Sequence, residues 1–343
     1  MKKNGITDSA AAFCAGVFVI IIFIIIGSKN PYESLFEFFI KPFSSRWHLG
    51  NMLNNAGLLL FAATGSLFAF KCGYFNLGGE GQIYFAGFLT AIFLQKNWSG
   101  SAFFQFTFVM FSIFFISGLI GLFLGFLKLK FNADILLTSF LVSAGLIPLI
   151  DYLITKPLRD ISGNLLALPP IYEKFSLHSL MPPSSFNISF FIAIFFAVMF
   201  FFFFAKTRYG YRLYISGKAE EFARFSGFSY IAPPIAGMAV SSGMHGLTGF
   251  FAITGTWNVC HLNFSSGMGW AAIAVALIAR QNFAAVIPAA FLYSWVQSAS
   301  DAAVLSGALG FDTGIFLQAA IFFFISAEIF KEGSNKLKQG KKI

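Results

Sequence analysis

Residues 186–205 read FNISFFIAIFFAVMFFFFFA and carry no charge. As a helix this stretch would measure about 30 Å, the thickness of a bilayer's hydrocarbon core. A second run, AAFCAGVFVIIIFIIIG at 11–27, has the same character. The rest of the chain agrees with these two. Of 343 residues, 57% are hydrophobic and 11% charged, against about 25% charged in a typical soluble domain. The fold class expected is therefore an all-α integral membrane protein, a polytopic bundle of about ten transmembrane helices (8–10).

The apolar segments fall near 10–27, 53–70, 75–95, 103–127, 135–154, 186–205, 231–253, 268–279, 283–300 and 313–330. The eighth is too short to cross alone. Residues 268–300 thus form either two short helices around Arg280 or one broken element. The longest polar connections, 28–52, 155–185 and 206–230, are too short for a soluble core. One transmembrane domain over 1–343 is the expectation. The N-terminal run has no small-residue cleavage pattern after it and reads as a retained first helix.

Charge orients the spans. With the N-terminus inside, 16 of the 23 Lys and Arg fall on the cytoplasmic side, as the positive-inside rule requires. Both termini are then cytoplasmic, 155–185 is an outer loop, 206–230 is an inner loop, and 331–343 is a basic inner tail. The outer loop, rich in Pro and Ser, should be ordered turns or a short interfacial helix over the bundle. The net charge of +9 reflects this orientation, and no nucleic-acid partner is needed to explain it. Cys14, Cys72 and Cys260 stand far apart and match no metal or redox spacing, so no metal or disulfide is expected.

No phosphate-binding GxxxxGK[ST] loop occurs, nor HExxH, GxSxG or CxxC. Of 14 carboxylates only Glu80 falls well inside a span, with Asp134, Asp151 and Glu328 near span ends. Ion-driven carriers usually hold several buried ionisable groups. Energy for active transport is therefore expected from outside this chain.

Glu80 lies in GYFNLGGEGQIYFAG, 73–87. If helix begins around Gly81, the carboxylate sits at a favourable N-terminal turn. If it begins earlier, Glu80, Tyr84, Gly87 and Ala91 share a face, with Gly87 and Ala91 leaving room for a neighbouring helix. Glu80 is then either a gate near the inner mouth or a structural cap on a tight turn. In AGMAVSSGMHGLTG, 236–249, Gly237, Ser241, His245 and Gly249 recur every four residues. That face is either a helix seam with His245 hydrogen-bonded inside it or a substrate-pathway histidine. SGLIGLFLG, 117–125, has the same spacing at Ser117, Gly121 and Gly125 and reads as packing. The pathway candidates are Asn54, Asn55, Asn76, Glu80, Gln82, His245 and Gln297.

In TRYGYRLYISGKAEEFARFSGF, 207–228, Gly217 and Gly227 bracket a short amphipathic helix. About two turns are marginal in water. It needs a partner surface, either the membrane interface or a soluble protein.

Three stretches together resemble the permease subunits of bacterial ABC importers of the branched-chain amino acid, ribose and nucleoside group. They are NLGGEGQ (76–82), YGYRLYISGKAEEFARFSGF (209–228) and SGMGWAAIAVALIARQNF (266–283). They occur in family order, and the resemblance covers roughly 50–328. GEGQ is most similar to the nucleoside and simple-sugar permeases. The resemblance implies an importer half in the bacterial cytoplasmic (inner) membrane. It implies three protein partners: an ATP-binding subunit that uses ATP and Mg, a second permease, and an extracytoplasmic binding protein or lipoprotein. It also implies that 217–227 is the ATPase-coupling helix, with Gly217, Glu220, Phe222, Ala223, Arg224 and Gly227 as coupling residues. Where the family often has two Ala before the Arg, this chain has Phe222-Ala223. The substrate implied is a nucleoside or simple sugar. The alternative from another class is a stand-alone channel or secondary carrier for a small polar solute.

Overall fold

A computed structural model describes residues 30–98 and 100–305, with residue 18 and scattered positions from 21 to 28. The expected span at 313–330, Glu328, the basic tail, Cys14 and most of the first span lie outside the described residues. Eleven α-helices lie between 31 and 305: α1 Pro31–Phe39, α2 Arg46–Lys71, α3 Gly79–Leu94, α4 Ala102–Phe131, α5 Ile135–Thr155, α6 Ser189–Lys206, α7 Arg208–Lys218, α8 Glu220–Phe225, α9 Ala232–Ala252, α10 Met268–Ile278 and α11 Phe283–Leu305. Helical residues also occur between 18 and 26. Among the described residues, α2, α4, α5, α6 and α11 are long and apolar enough to cross a membrane. The chain is a polytopic, helical membrane protein.

Two compact units emerge, one from 1–52 with 291–343 and one from 53–290. In the first, Ile24, Phe38, Val296, Ala299 and Ala303 form a buried apolar cluster. The Phe38 ring meets Trp295 edge-on, and the Ser294 hydroxyl donates to the Met52 carbonyl at 2.6 Å. Part of the 28–52 connection, read as polar, is thus helical. Pro31 starts α1, where its missing N–H costs nothing.

The second unit holds the candidate site. Its centre is α9, which packs along α4 and α3. α9 is 21 residues long, about 31 Å, yet it is not among the most apolar helices. It carries Ser, Thr, Gly and His because other helices, not lipid, enclose it, and Ser241 through Ala252 is buried throughout. The small-residue stripe of α4 makes this enclosure close. A Cβ at Gly121 would fall on the Met238 carbonyl of α9, and one at Gly125 would come 2.6 Å from the Pro234 carbonyl. In lipid, where association rests on van der Waals packing, such backbone approach is what holds helices together. On the far side of α9 the Phe-rich faces interlock. Phe61 of α2 stacks on Phe251, and Phe68 meets Phe200 and Phe204 of α6 edge-on.

α3 has only 16 residues, about 24 Å and too short to span. The chain before it, 73–78, is not helical. Non-helical backbone at membrane depth must find partners in protein, and it does. Leu77 N–H donates to Ser139 Oγ of α5 at 3.0 Å, Gly78 N–H to Asn76 Oδ1 at 3.0 Å, and Gly81 N–H to Ser143 Oγ at 2.8 Å.

Residues 268–305 are two helices joined by a turn in which Arg280 and Gln281 adopt positive φ. The 155–185 connection is ordered turns with one 3₁₀ turn at Glu173–Phe175. It is laced to 254–260 by backbone bonds, Leu168 N–H to Cys260 O at 2.9 Å, Ile171 N–H to Asn258 O at 3.0 Å and Leu177 N–H to Thr254 O at 2.7 Å.

Candidate functional site

The sequence singled out Asn76, Glu80, Gln82 and His245. The structure divides them between two adjoining clusters in the second unit.

The first cluster is built on Glu80. α3 begins at Gly79, so Glu80 lies in its first turn. Its carboxylate, 8% exposed, does not cap its own helix. It reaches the start of α10 instead. Oε1 accepts from Ser265 Oγ at 2.5 Å and from Gly267 N–H at 2.9 Å, while Oε2 accepts from Gly269 N–H at 2.7 Å. The first N–H groups of a helix have no partner within it, and the positive end of the dipole favours an anion. Glu80 supplies both needs from a different helix. Gly267 adopts φ +82, a left-handed conformation glycine reaches without strain. Gly269 lets the chains touch, for a Cβ there would fall on the Glu80 backbone nitrogen. This is a short helix clasped to a broken one.

Behind it, Tyr84 donates its hydroxyl to Asp151 Oδ1 of α5 at 2.7 Å and accepts from Asn263 N–H at 3.0 Å. On the face with Tyr84, Gly87 and Ala91, a loop aromatic takes up the room at Gly87, and α9 also comes close there, since a Cβ at Gly249 would lie 2.7 Å from the Gly87 nitrogen. A Cβ at Gly87 would fall on the Phe264 ring.

The second cluster is a buried polar chain from α2 to α9. Ser66 Oγ lies 3.2 Å from His245 Nε2, and His245 Nδ1 lies 2.8 Å from Gln82 Oε1. Asn76 Nδ2 donates to Gln82 Oε1 at 3.0 Å and to Ser241 Oγ at 3.1 Å. Each of these side chains is buried, and each polar atom named has a partner, as burial in a low-dielectric interior demands. The imidazole is held at both nitrogens. Gly79 leaves the room it needs, since a Cβ there would come 3.0 Å from the ring.

Asn54 belongs to a third group. Its Nδ2 donates to Thr256 Oγ1 at 2.8 Å, and its Oδ1 accepts from Asn187 Nδ2 at 3.1 Å. Asn187 also donates to Gly255 O at 3.0 Å. This ties α2 and the start of α6 to a single π-helical turn, Ile253–Trp257. Asn55 is half-buried on α2, and Gln297 is half-buried on α11 in the other unit.

The expected amphipathic helix at 217–227 is divided. Gly217 lies in the last turn of α7, and α8 runs from Glu220 to Phe225, followed by Gly227 at φ +72. Glu220 and Arg224 pair at 2.7 Å, and the Arg224 guanidinium sits 4.3 Å from the Tyr230 ring centre. Ala223 is buried, whereas Phe222 is 58% and Phe225 93% exposed. Gly217 does more than end a helix. A Cβ there would fall on the Cys72 carbonyl, and one at Gly73 would fall on the Gly217 carbonyl. The α7–α8 elbow is thus nested, backbone on backbone, against the chain that leads from α2 to Asn76 and Glu80.

Sequence reasoning did not find Ser265, Asn187, Thr256, Ser66 or Phe225. A signal existed for the first: Ser265-Ser266-Gly267 before an apolar run marks a helix start. Phe225 was legible as the apolar residue three after Phe222.

A family described as branched-chain amino acid transport system / permease component matches residues 48–326. A relative in Treponema pallidum (strain Nichols), the "Probable riboflavin import permease protein RfuC", is 40% identical over 96% of this chain and 86% of its own. The guanosine ABC transporter permease protein NupP of Bacillus subtilis is 23% identical over 87% of this chain and 86% of its own. A glucose ABC transporter permease protein of Haloferax volcanii is 24% identical over 88% of this chain and 82% of its own. No solved structure matches. ATP in such systems is used by a separate ATPase subunit, which accounts for the missing phosphate loop and favours the ATP-driven reading over the stand-alone channel or carrier. The chain belongs to the branched-chain amino acid transport system permease family and is a permease subunit of an ABC importer, with no catalysis of its own.

Proposed function

We propose that this permease moves riboflavin or a closely related flavin across the cytoplasmic membrane, ahead of the nucleoside or simple sugar that the GEGQ stretch suggested. One observation carries this reading: the 40% identity over 96% of the chain with the Treponema pallidum riboflavin permease. The nucleoside and glucose relatives stand at 23–24%. The chemistry is continuous between these solutes, since a flavin joins a planar heteroaromatic ring to a polyol. Uptake tests it. Cells expressing the importer should accumulate labelled riboflavin, and excess unlabelled guanosine or glucose should not compete. Competition by guanosine with no riboflavin uptake would transfer the assignment to nucleosides.

In this reading both termini and the α7–α8 elbow face the cytoplasm. A second permease completes the pathway, and a binding protein or lipoprotein delivers the solute outside. α8 docks into the ATPase through its exposed Phe222 and Phe225. Its motion passes through the Gly217–Cys72 nest to the chain at 73–80, and Glu80 carries it to α10. The Ser66–His245–Gln82–Asn76 chain keeps α2, α3 and α9 together while they move.

The docking step has its own test. Phe225→Ala removes an exposed side chain that makes no internal packing, so the foot stays folded. We expect solute-stimulated ATP hydrolysis to fall about 10-fold, the effect of an interface residue costing about 1.4 kcal/mol on truncation, with span insertion unchanged. Wild-type stimulation in this variant would place docking elsewhere. Ala223→Asp is a poor probe, because Ala223 is buried and a carboxylate there would unfold the foot.

A further inference from the structure

We propose that the cavity beside the α6–α7 corner binds the headgroup of an anionic phospholipid. It has a volume of about 320 Å³ and is lined by Lys206, Thr207, Arg208, Tyr211, Arg212 and Phe228, with no acidic residue among them. The ion pairs among the described residues are Lys41–Glu37 and Arg224–Glu220. Among the described residues, no carboxylate pairs with any of the three cations around this cavity. Thr207 accepts from Gly210 N–H at 3.0 Å and so caps α7, whose positive end adds to the field there. Phe228 backs the Arg212 guanidinium at 5.5 Å, holding that charge at the rim.

The position selects a lipid over a soluble anion. α6 is an apolar helix that ends at Lys206, so the cavity lies where hydrocarbon gives way to headgroups. Directly below it on α6, Phe202 is 52% exposed and offers a surface for acyl chains. Basic pockets at such a level bind anionic headgroups, each Lys or Arg contributing about 1 kcal/mol.

The test uses the complete importer purified through this chain, exchanged into nanodiscs of phosphatidylcholine with or without phosphatidylglycerol, and read by native mass spectrometry. We expect phosphatidylglycerol to be retained over phosphatidylcholine. Substituting Lys206→Gln, Arg208→Gln and Arg212→Gln should lower that preference by about 5-fold per charge removed. Lys128→Gln with Lys130→Gln, cations away from the cavity, should leave it unchanged. Should the triple variant fail to assemble, Arg208→Gln alone, an exposed side chain, gives the same reading at a single step. Unchanged retention overturns the proposal. So does displacement of the lipid by millimolar inorganic phosphate, which would make the site one for a soluble anion. Loss of the ATPase subunit with phosphatidylglycerol still retained would also overturn it, since the cavity would then take an acidic protein surface.

Discussion

Glu80→Ala is expected to lower solute uptake about 100-fold while leaving the long apolar helices inserted. The carboxylate accepts three hydrogen bonds from the start of α10. Bonds to a charged group contribute about 1.5–3 kcal/mol each. Truncation leaves Ser265 Oγ and two backbone N–H groups without a partner in a site only 8% exposed. Even if water recovers half of that, about 3 kcal/mol is lost, or two decades in the population of the clasped state. α10 has 11 residues, too few for a stable helix on its own, so it loosens first. Glu80→Gln separates charge from shape. Its amide oxygen can keep Ser265 and Gly267, but its NH₂ would face the Gly269 N–H. Uptake should fall between wild type and Glu80→Ala. A cysteine placed at Ser266, exposed beside the clasp, should react faster with maleimide in both variants. Wild-type uptake with Glu80→Ala would show that the clasp has no part in transport.

Gly217→Ala and Gly73→Ala should uncouple the machine. At each, the added methyl would land on a backbone carbonyl of the other segment, and backbone cannot swing aside as a flexible side chain can. Overpacking of this kind costs about 1–3 kcal/mol. Gly73 also adopts φ +86, which costs an alanine about 1–2 kcal/mol more. Opening the nest separates the α7–α8 elbow from the chain that carries Asn76 and Glu80. The expected result is basal ATP hydrolysis retained in the purified importer, with uptake reduced about 30-fold. Gly145→Ala on α5 is the control. A Cβ there meets nothing within 4 Å, and uptake should not change. Equal loss of hydrolysis and uptake in the Gly217 variant would indicate general misfolding instead of uncoupling.

The spans were legible because bilayer insertion imposes length and hydropathy on local sequence, as in 186–205. The places where the reading fell short share a cause. The apolar pattern at 75–95 reads as a full span, yet α3 starts at Gly79, because the Leu77 and Gly78 N–H groups donate to the Ser139 and Asn76 side chains instead of to a helical ladder. Glu80 stood out at once as an intramembrane carboxylate. Its partners did not, since they lie 185 to 189 residues away and nothing local encodes such a pairing. The four-residue repeat of α9 announced close packing, but its partners are the end of α2 and α3, with Gly237 against Cys72 and Gly249 against the Ile83 carbonyl, while the α4 stripe at Ser117, Gly121 and Gly125 meets the neighbouring face of α9 at Gly246, Met238 and Pro234. The short helix at the elbow was legible by its bracketing glycines. That Gly217 serves a backbone contact with Cys72, rather than a helix end, could only come from the fold.

The central claim is that this chain has no power source of its own and is driven through its α7–α8 elbow by a separate ATPase. The most direct measurement is uptake of labelled riboflavin into liposomes holding either this permease alone or the full importer purified through it. The account predicts accumulation only with the ATPase subunit present and ATP supplied on its side. Accumulation by the permease alone, or unaffected by removing ATP, would contradict it.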